Sequence, residues 1–78
     1  MPTILRKGGY RFFFYINDHY PPHIHVEKER CTAKFLLENA ELVRSKRFNT
    51  SELNEIRKIV LGNIALFKTK WDEHFTNY

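Results

Sequence analysis

Three of the four histidines stand within seven residues, in Asp18-His19-Tyr20-Pro21-Pro22-His23-Ile24-His25. This is the only constellation in the chain with clear chemical content, and it admits three readings. In the first, His23 and His25, at i and i+2 of a strand, project to one face and reach one metal ion. His19, delivered by the preceding turn, supplies a third nitrogen, with Asp18 or Glu27 as an oxygen ligand or an acceptor behind a ring. Three ligands and an open position would resemble a catalytic zinc arrangement. In the second reading no metal is needed: His23 or His25 acts as general acid or base near neutral pH, Asp18 orients a ring and a basic side chain neutralises a phosphate. In the third the histidines are structural, with Asp18 accepting backbone hydrogen bonds in its turn. The H-x₃-H-x-H spacing leaves all three open.

The elements that must hold these residues can be read from periodicity. Thr3–Lys7 is a short strand, and Gly8-Gly9 supplies the positive-φ pair of a tight hairpin turn. Tyr10–Ile16 follows as a strand with Phe12, Phe14 and Ile16 on one face and Phe13 and Tyr15 on the other. Asn17–Tyr20 is a turn, and Pro21-Pro22 forces an extended entry that donates no ladder hydrogen bonds. His23–Glu27 then alternates, Ile24 and Val26 one way and His23, His25 and Glu27 the other. Lys28-Glu29-Arg30 turns the chain into Cys31–Leu37, and Glu41–Ser45 is a short edge strand whose basic residues discourage edge pairing. Asn49 and Glu52 have the spacing of a capping box, with Phe48 able to staple against Leu53. Beyond them Leu53, Ile56, Val60, Ile64, Phe67, Trp71 and Phe75 recur at helical spacing. The expectation is an α+β domain over residues 1–78. An antiparallel meander of four or five strands (3–45) packs against one long C-terminal helix (50–76), in which Gly62 marks a bend or a close crossing. Ile59, Asn63 and Leu66 beside the stripe, with Leu61 on its other side, leave a homodimer or partner interface open.

Composition narrows the setting. Apolar residues at 42% and aromatics at 15% exclude a disordered segment. A single cysteine, Cys31, excludes an internal disulfide and reads as a small buried hydrophobe. No leader and no membrane-length apolar run is visible, so a cytoplasmic protein is expected. The net charge of +4 is unevenly spread. Residues 1–49 carry nine Lys/Arg against five Asp/Glu, and residues 50–78 carry four of each. That imbalance favours RNA or an acidic protein as partner, with Arg6, Lys7 and Arg11 as candidate phosphate contacts among Tyr10, Phe13 and Tyr15. The aromatics themselves are more simply core residues in so small a chain.

The opening Met1-Pro2-Thr3-Ile4, the D-H-x-P-P-H-x-H-V run ending at Val26 and a terminal helix bearing Trp71 resemble a widespread bacterial family of small proteins. That family is catalogued only as a domain of unknown function. The resemblance covers nearly the whole chain and picks out His19, Pro21, Pro22, His23 and His25. It implies a compact α+β unit, often encoded beside another small protein in the manner of toxin–antitoxin pairs, and brings no established mechanism. The expected function is therefore a toxin–antitoxin-type component acting through a small cognate protein partner and RNA, with His23 and His25 as candidate catalytic residues. The alternative is a divalent-metal-dependent hydrolase of phosphate esters, with zinc as the natural ion and His19, His23, His25 and Asp18 as candidate ligands. A second alternative is a structural interaction module.

Overall fold

A computed structural model describes residues 3–75. Five strands, β1 (Thr3–Lys7), β2 (Tyr10–Phe13), β3 (His23–Lys28), β4 (Cys31–Leu36) and β5 (Leu42–Lys46), form one antiparallel sheet in chain order. Two helices follow, α1 (Thr50–Gly62) and α2 (Ile64–Phe75). The meander arises from short turns. Gly8 and Gly9, at φ 63° and 85°, make the two-residue turn that matches strand twist, a backbone that side-chain-bearing residues resist. Glu29, at φ 55°, turns β3 into β4 so that Lys28 faces Cys31 and, counting back, His25 faces Lys34.

One sheet face carries the core. Phe12, Phe14, Ile24, Val26, Phe35 and Leu37 are each at most 1% exposed, and the helices cover them with Ile56, Val60, Phe67 and Trp71. Phe12 stacks on Phe67 at 5.5 Å between ring centroids, and Phe14 meets Trp71 edge-on at 5.3 Å. Ring pairs of this kind add to the burial of area, which is the main stabilising contribution. Phe13, on the opposite face, is also buried: the Arg11 guanidinium lies 4.3 Å over its ring and His25 stacks beside it. The side chains of the sheet thus close the second face of β2 locally. Cys31 is half-buried against the core rather than enclosed.

Two expectations need correction. The second strand ends at Phe13 rather than Ile16, because the chain turns at Tyr15–Asp18; Phe14 keeps its core position while Ile16 is 74% exposed. The single long helix is two helices. Asn63 leaves helical geometry (φ −126°, ψ 18°); its N–H bonds back three residues to the Val60 carbonyl at 3.1 Å, and its Nδ2 takes the Ile59 carbonyl at 2.8 Å. A helical N–H at position 63 would use that carbonyl, so the asparagine side chain replaces one ladder bond and the axis is free to break. Gly62 makes no close crossing, since a Cβ there would meet nothing within 4 Å. The expected end of the helix at residue 76 lies outside the described residues. The α1 start is as expected: Asn49 Oδ1 accepts from the Glu52 N–H and the Glu52 carboxylate from the Asn49 N–H, the complete capping box. No helix among the described residues is long and apolar enough to cross a membrane.

Candidate metal centre

Asp18 is set by the turn between β2 and β3. Its N–H donates to the Tyr15 carbonyl (3.2 Å), and its Oδ2 accepts the Tyr15 N–H (2.9 Å). With one oxygen held by backbone, the carboxylate has a fixed direction. Its other oxygen, Oδ1, lies 3.1 Å from Nε2 of both His23 and His25.

The two imidazoles arrive from one strand. His25 is clamped between aromatic rings, stacked on Phe13 at 5.5 Å and edge-on to Tyr15 at 4.6 Å, and its Nε2 is within hydrogen-bond reach of Asp18 Oδ1. His23 is 4% exposed, packs 5.1 Å from the Trp71 ring, and places Nδ1 2.8 Å from the Pro21 carbonyl. A carbonyl only accepts, so Nδ1 bears the proton and Nε2 of the neutral ring bears a lone pair. That Nε2 is buried and makes no hydrogen bond; its 3.1 Å approach to Asp18 Oδ1 is a contact without hydrogen-bond alignment. Two lone-pair atoms facing one another in a buried site repel unless a proton or a cation lies between them.

The electrostatics favour the ligand form of these groups. Burial by itself raises the Asp18 carboxyl, but the Tyr15 N–H and the two imidazoles together hold it below its ordinary value of 3.8. Burial lowers His25 below 6.5, outweighing the opposing pull of Asp18. An ionised carboxylate and a neutral imidazole are the states that bind metal.

The donor set fits a small divalent ion. The ligand atoms of Asp18, His23 and His25 all lie within 4.8 Å of one another. Tetrahedral bonds of about 2.0–2.1 Å would put neighbouring ligand atoms about 3.3 Å apart, close to the two 3.1 Å separations present. The Pro21 carbonyl behind His23 is the usual outer partner of a metal-bound imidazole. A cleft of about 550 Å³ is lined by Asp18, His23, Lys34 and Leu42, and His25 lines an adjoining groove that shares Lys34.

Other residues singled out from the sequence fall elsewhere. His19 is exposed on the wall of that cleft and is not one of the trio. Glu27 is paired with Arg11, which also donates to Thr3 Oγ1 and covers Phe13, so Arg11 is already engaged. Arg6 and Lys7 are exposed on the edge strand β1, away from the trio's strand. The fourth histidine, His74, is outside the cluster, in the last turn of α2 beside Phe75. Two contributors escaped sequence reasoning. Trp71 belongs to the helical stripe, yet it also walls His23 and stacks near Tyr20 at 6.2 Å, which no spacing rule predicts. Lys34 reaches the site because it pairs with His25 across the hairpin, a register legible by counting outward from a two-residue turn at Glu29-Arg30.

Residues 9–72 match the family described as Domain of unknown function (DUF4160), and the chain belongs to it. No curated protein and no solved structure matches the chain.

Proposed function

For this member of the DUF4160 family, we propose a divalent-metal-dependent hydrolase of phosphate esters, with Asp18, His23 and His25 as the metal ligands. One observation carries the reading: with its Nδ1 turned to the Pro21 carbonyl, the buried His23 Nε2 points at Asp18 Oδ1 from 3.1 Å without hydrogen-bond alignment, and a cation between the two would bind both. A cation of zinc type supplies a Lewis acid for a phosphoryl oxygen and acidifies a bound water. With three protein ligands, a bound ion would keep a coordination position for substrate or water, as in catalytic rather than structural sites. Lys34, on the cleft wall and beside His25, provides a positive charge for the phosphate.

Isothermal calorimetry with zinc on the wild type and on His25→Gln tests the ligand set. The expected result is one-to-one binding at micromolar Kd or tighter, about −8 kcal/mol, lost in the variant while its circular dichroism is retained. A phosphodiester such as bis(p-nitrophenyl) phosphate then reports activity that a chelator removes and metal restores. Absence of binding by zinc, manganese and nickel at 100 μM would sink the reading.

A second reading, the partner-dependent component of toxin–antitoxin type, is favoured by the free edge of the sheet. Strand β5 is exposed along its length and turns Leu42 and Val43 to solvent at 39% and 48% exposure. Co-expression with the product of the adjacent gene tests it: a complex that survives gel filtration and is lost in Val43→Lys supports it, and two separate peaks refute it.

A further inference from the structure

The face of the sheet not covered by helices carries a cluster of cations over β4 and β5, while its one strand carboxylate, Glu27, is paired with Arg11. Across strands β3, β4 and β5, His25 faces Lys34 and Lys34 faces Arg44; one step along, Thr32 faces Lys46. Like charges set directly opposite one another on adjacent strands weaken a sheet, and Lys34 and Arg44 are such a pair. None of Lys34, Arg44 and Lys46 takes part in an ion pair among the described residues, in contrast to Arg11, which Glu27 neutralises on the same face. These three line a groove of about 410 Å³ that contains no carboxylate. At its end the Tyr15 ring is 41% exposed and held edge-on to His25. Thr32, exposed and on the same face as Lys34, also lines the groove.

We infer that this open sheet face binds single-stranded RNA, with Lys34, Arg44 and Lys46 on the phosphates and Tyr15 as a stacking platform for a base. Charge complementarity selects the polyanion, and an exposed ring beside a basic groove is how sequence-tolerant sheet surfaces hold unpaired bases. The Thr32 hydroxyl can exchange hydrogen bonds with the 2′-hydroxyl, the group that separates RNA from DNA. Lys34 lines both this groove and the cleft of the Asp18–His23–His25 trio, so a strand lying here passes its phosphodiesters beside that site. The inference thereby names the substrate class of the proposed hydrolase, but binding by this face does not require metal.

Fluorescence anisotropy with a short, labelled, mixed-sequence single-stranded RNA, recorded in EDTA on the full chain, tests it apart from the metal reading. Three phosphate contacts give a slope of log K against log salt of about −2, so affinity falls about 20-fold between 50 and 200 mM salt. In Arg44→Gln/Lys46→Gln, two exposed positions on the edge strand, the slope should shrink to about −0.7 and the fall to about 3-fold. Lys58→Gln/Lys68→Gln removes the same charge from exposed helix positions and should leave both unchanged. Equal losses in the two double variants, a salt slope unchanged in Arg44→Gln/Lys46→Gln, or equal binding of DNA of the same sequence would overturn the inference. Tyr15→Ala should weaken binding at constant salt slope; an unaltered affinity would remove the ring from the site.

Discussion

Replacing Gly62 by alanine separates two explanations of the break between the helices. Gly62 is the last residue of α1, is exposed, and has a backbone outside the left-handed region; a Cβ there meets no atom within 4 Å. The methyl group therefore brings neither clash nor strain, and its effect is to restrict the unfolded chain and favour helix, a gain of about 0.5–1 kcal/mol. In a domain of this size 1 kcal/mol moves the melting temperature by about 4–8 °C, so a rise of about 2–8 °C follows. The break itself should persist, because it is held at Asn63. There the side chain occupies the Ile59 carbonyl, the N–H goes to Val60, and the Asn63 carbonyl starts α2 by accepting the Phe67 N–H at 3.0 Å. Trp71, the only tryptophan, sits one helical turn beyond Phe67 and reports any re-aiming of α2 through its emission. Thermal unfolding by circular dichroism, with tryptophan emission recorded alongside, is the assay. A raised melting temperature with unshifted emission is expected for Gly62→Ala, and an altered emission for Asn63→Ala, which frees the Ile59 carbonyl for a continuous helix. A lowered melting temperature or a shifted emission in Gly62→Ala would refute the assignment of the break to Asn63.

Three further outcomes follow from the packing and the electrostatics. Phe12→Ala empties a position at 0% exposure stacked on Phe67, a loss of about 3–5 kcal/mol, and urea unfolding should show the midpoint falling by a large part of its wild-type value. Asn49→Ala removes the acceptor of the α1 capping box and should lower stability by about 1 kcal/mol, whereas Asn49→Asp should retain most of it in the same melt. Tyr10 is pushed up from 10.0 to about 12, by burial first and then by the Glu55 carboxylate that accepts its hydroxyl at 2.7 Å. The folded chain thus favours the protonated phenol, and the stability this adds is complete below pH 10 and lost as the pH rises to about 12. Wild type should exceed Tyr10→Phe in stability near neutrality and converge on it across that alkaline window; parallel pH profiles would contradict the linkage.

Much of the fold is legible because it depends on short-range patterns. The Gly8-Gly9 turn, the alternation through His23–Glu27 and the Asn49–Glu52 cap each need only a few neighbouring residues, and each stands where the pattern puts it. The strand ending at Phe13 was not legible, and the bend expected at Gly62 falls instead as a break at Asn63, for the same physical reason. In both places a polar side chain, Asp18 or Asn63, captures a backbone group and diverts the chain, while the apolar periodicity runs on undisturbed.

The site divides along the same line. Sequence alone determined that His23 and His25 share a strand face opposite Ile24 and Val26, since alternation is a property of the extended backbone. Only tertiary structure decided which third residue meets them. The turn at Tyr15–Asp18 fixes the carboxylate through the Tyr15 N–H, bringing Asp18 Oδ1 within 3.1 Å of both rings, while neighbouring His19 is left on the cleft wall. Sequence also showed where the positive charge lies along the chain. That Lys34, Arg44 and Lys46 share one groove beside His25 came from strand register, which is set by a whole sheet closing over one core.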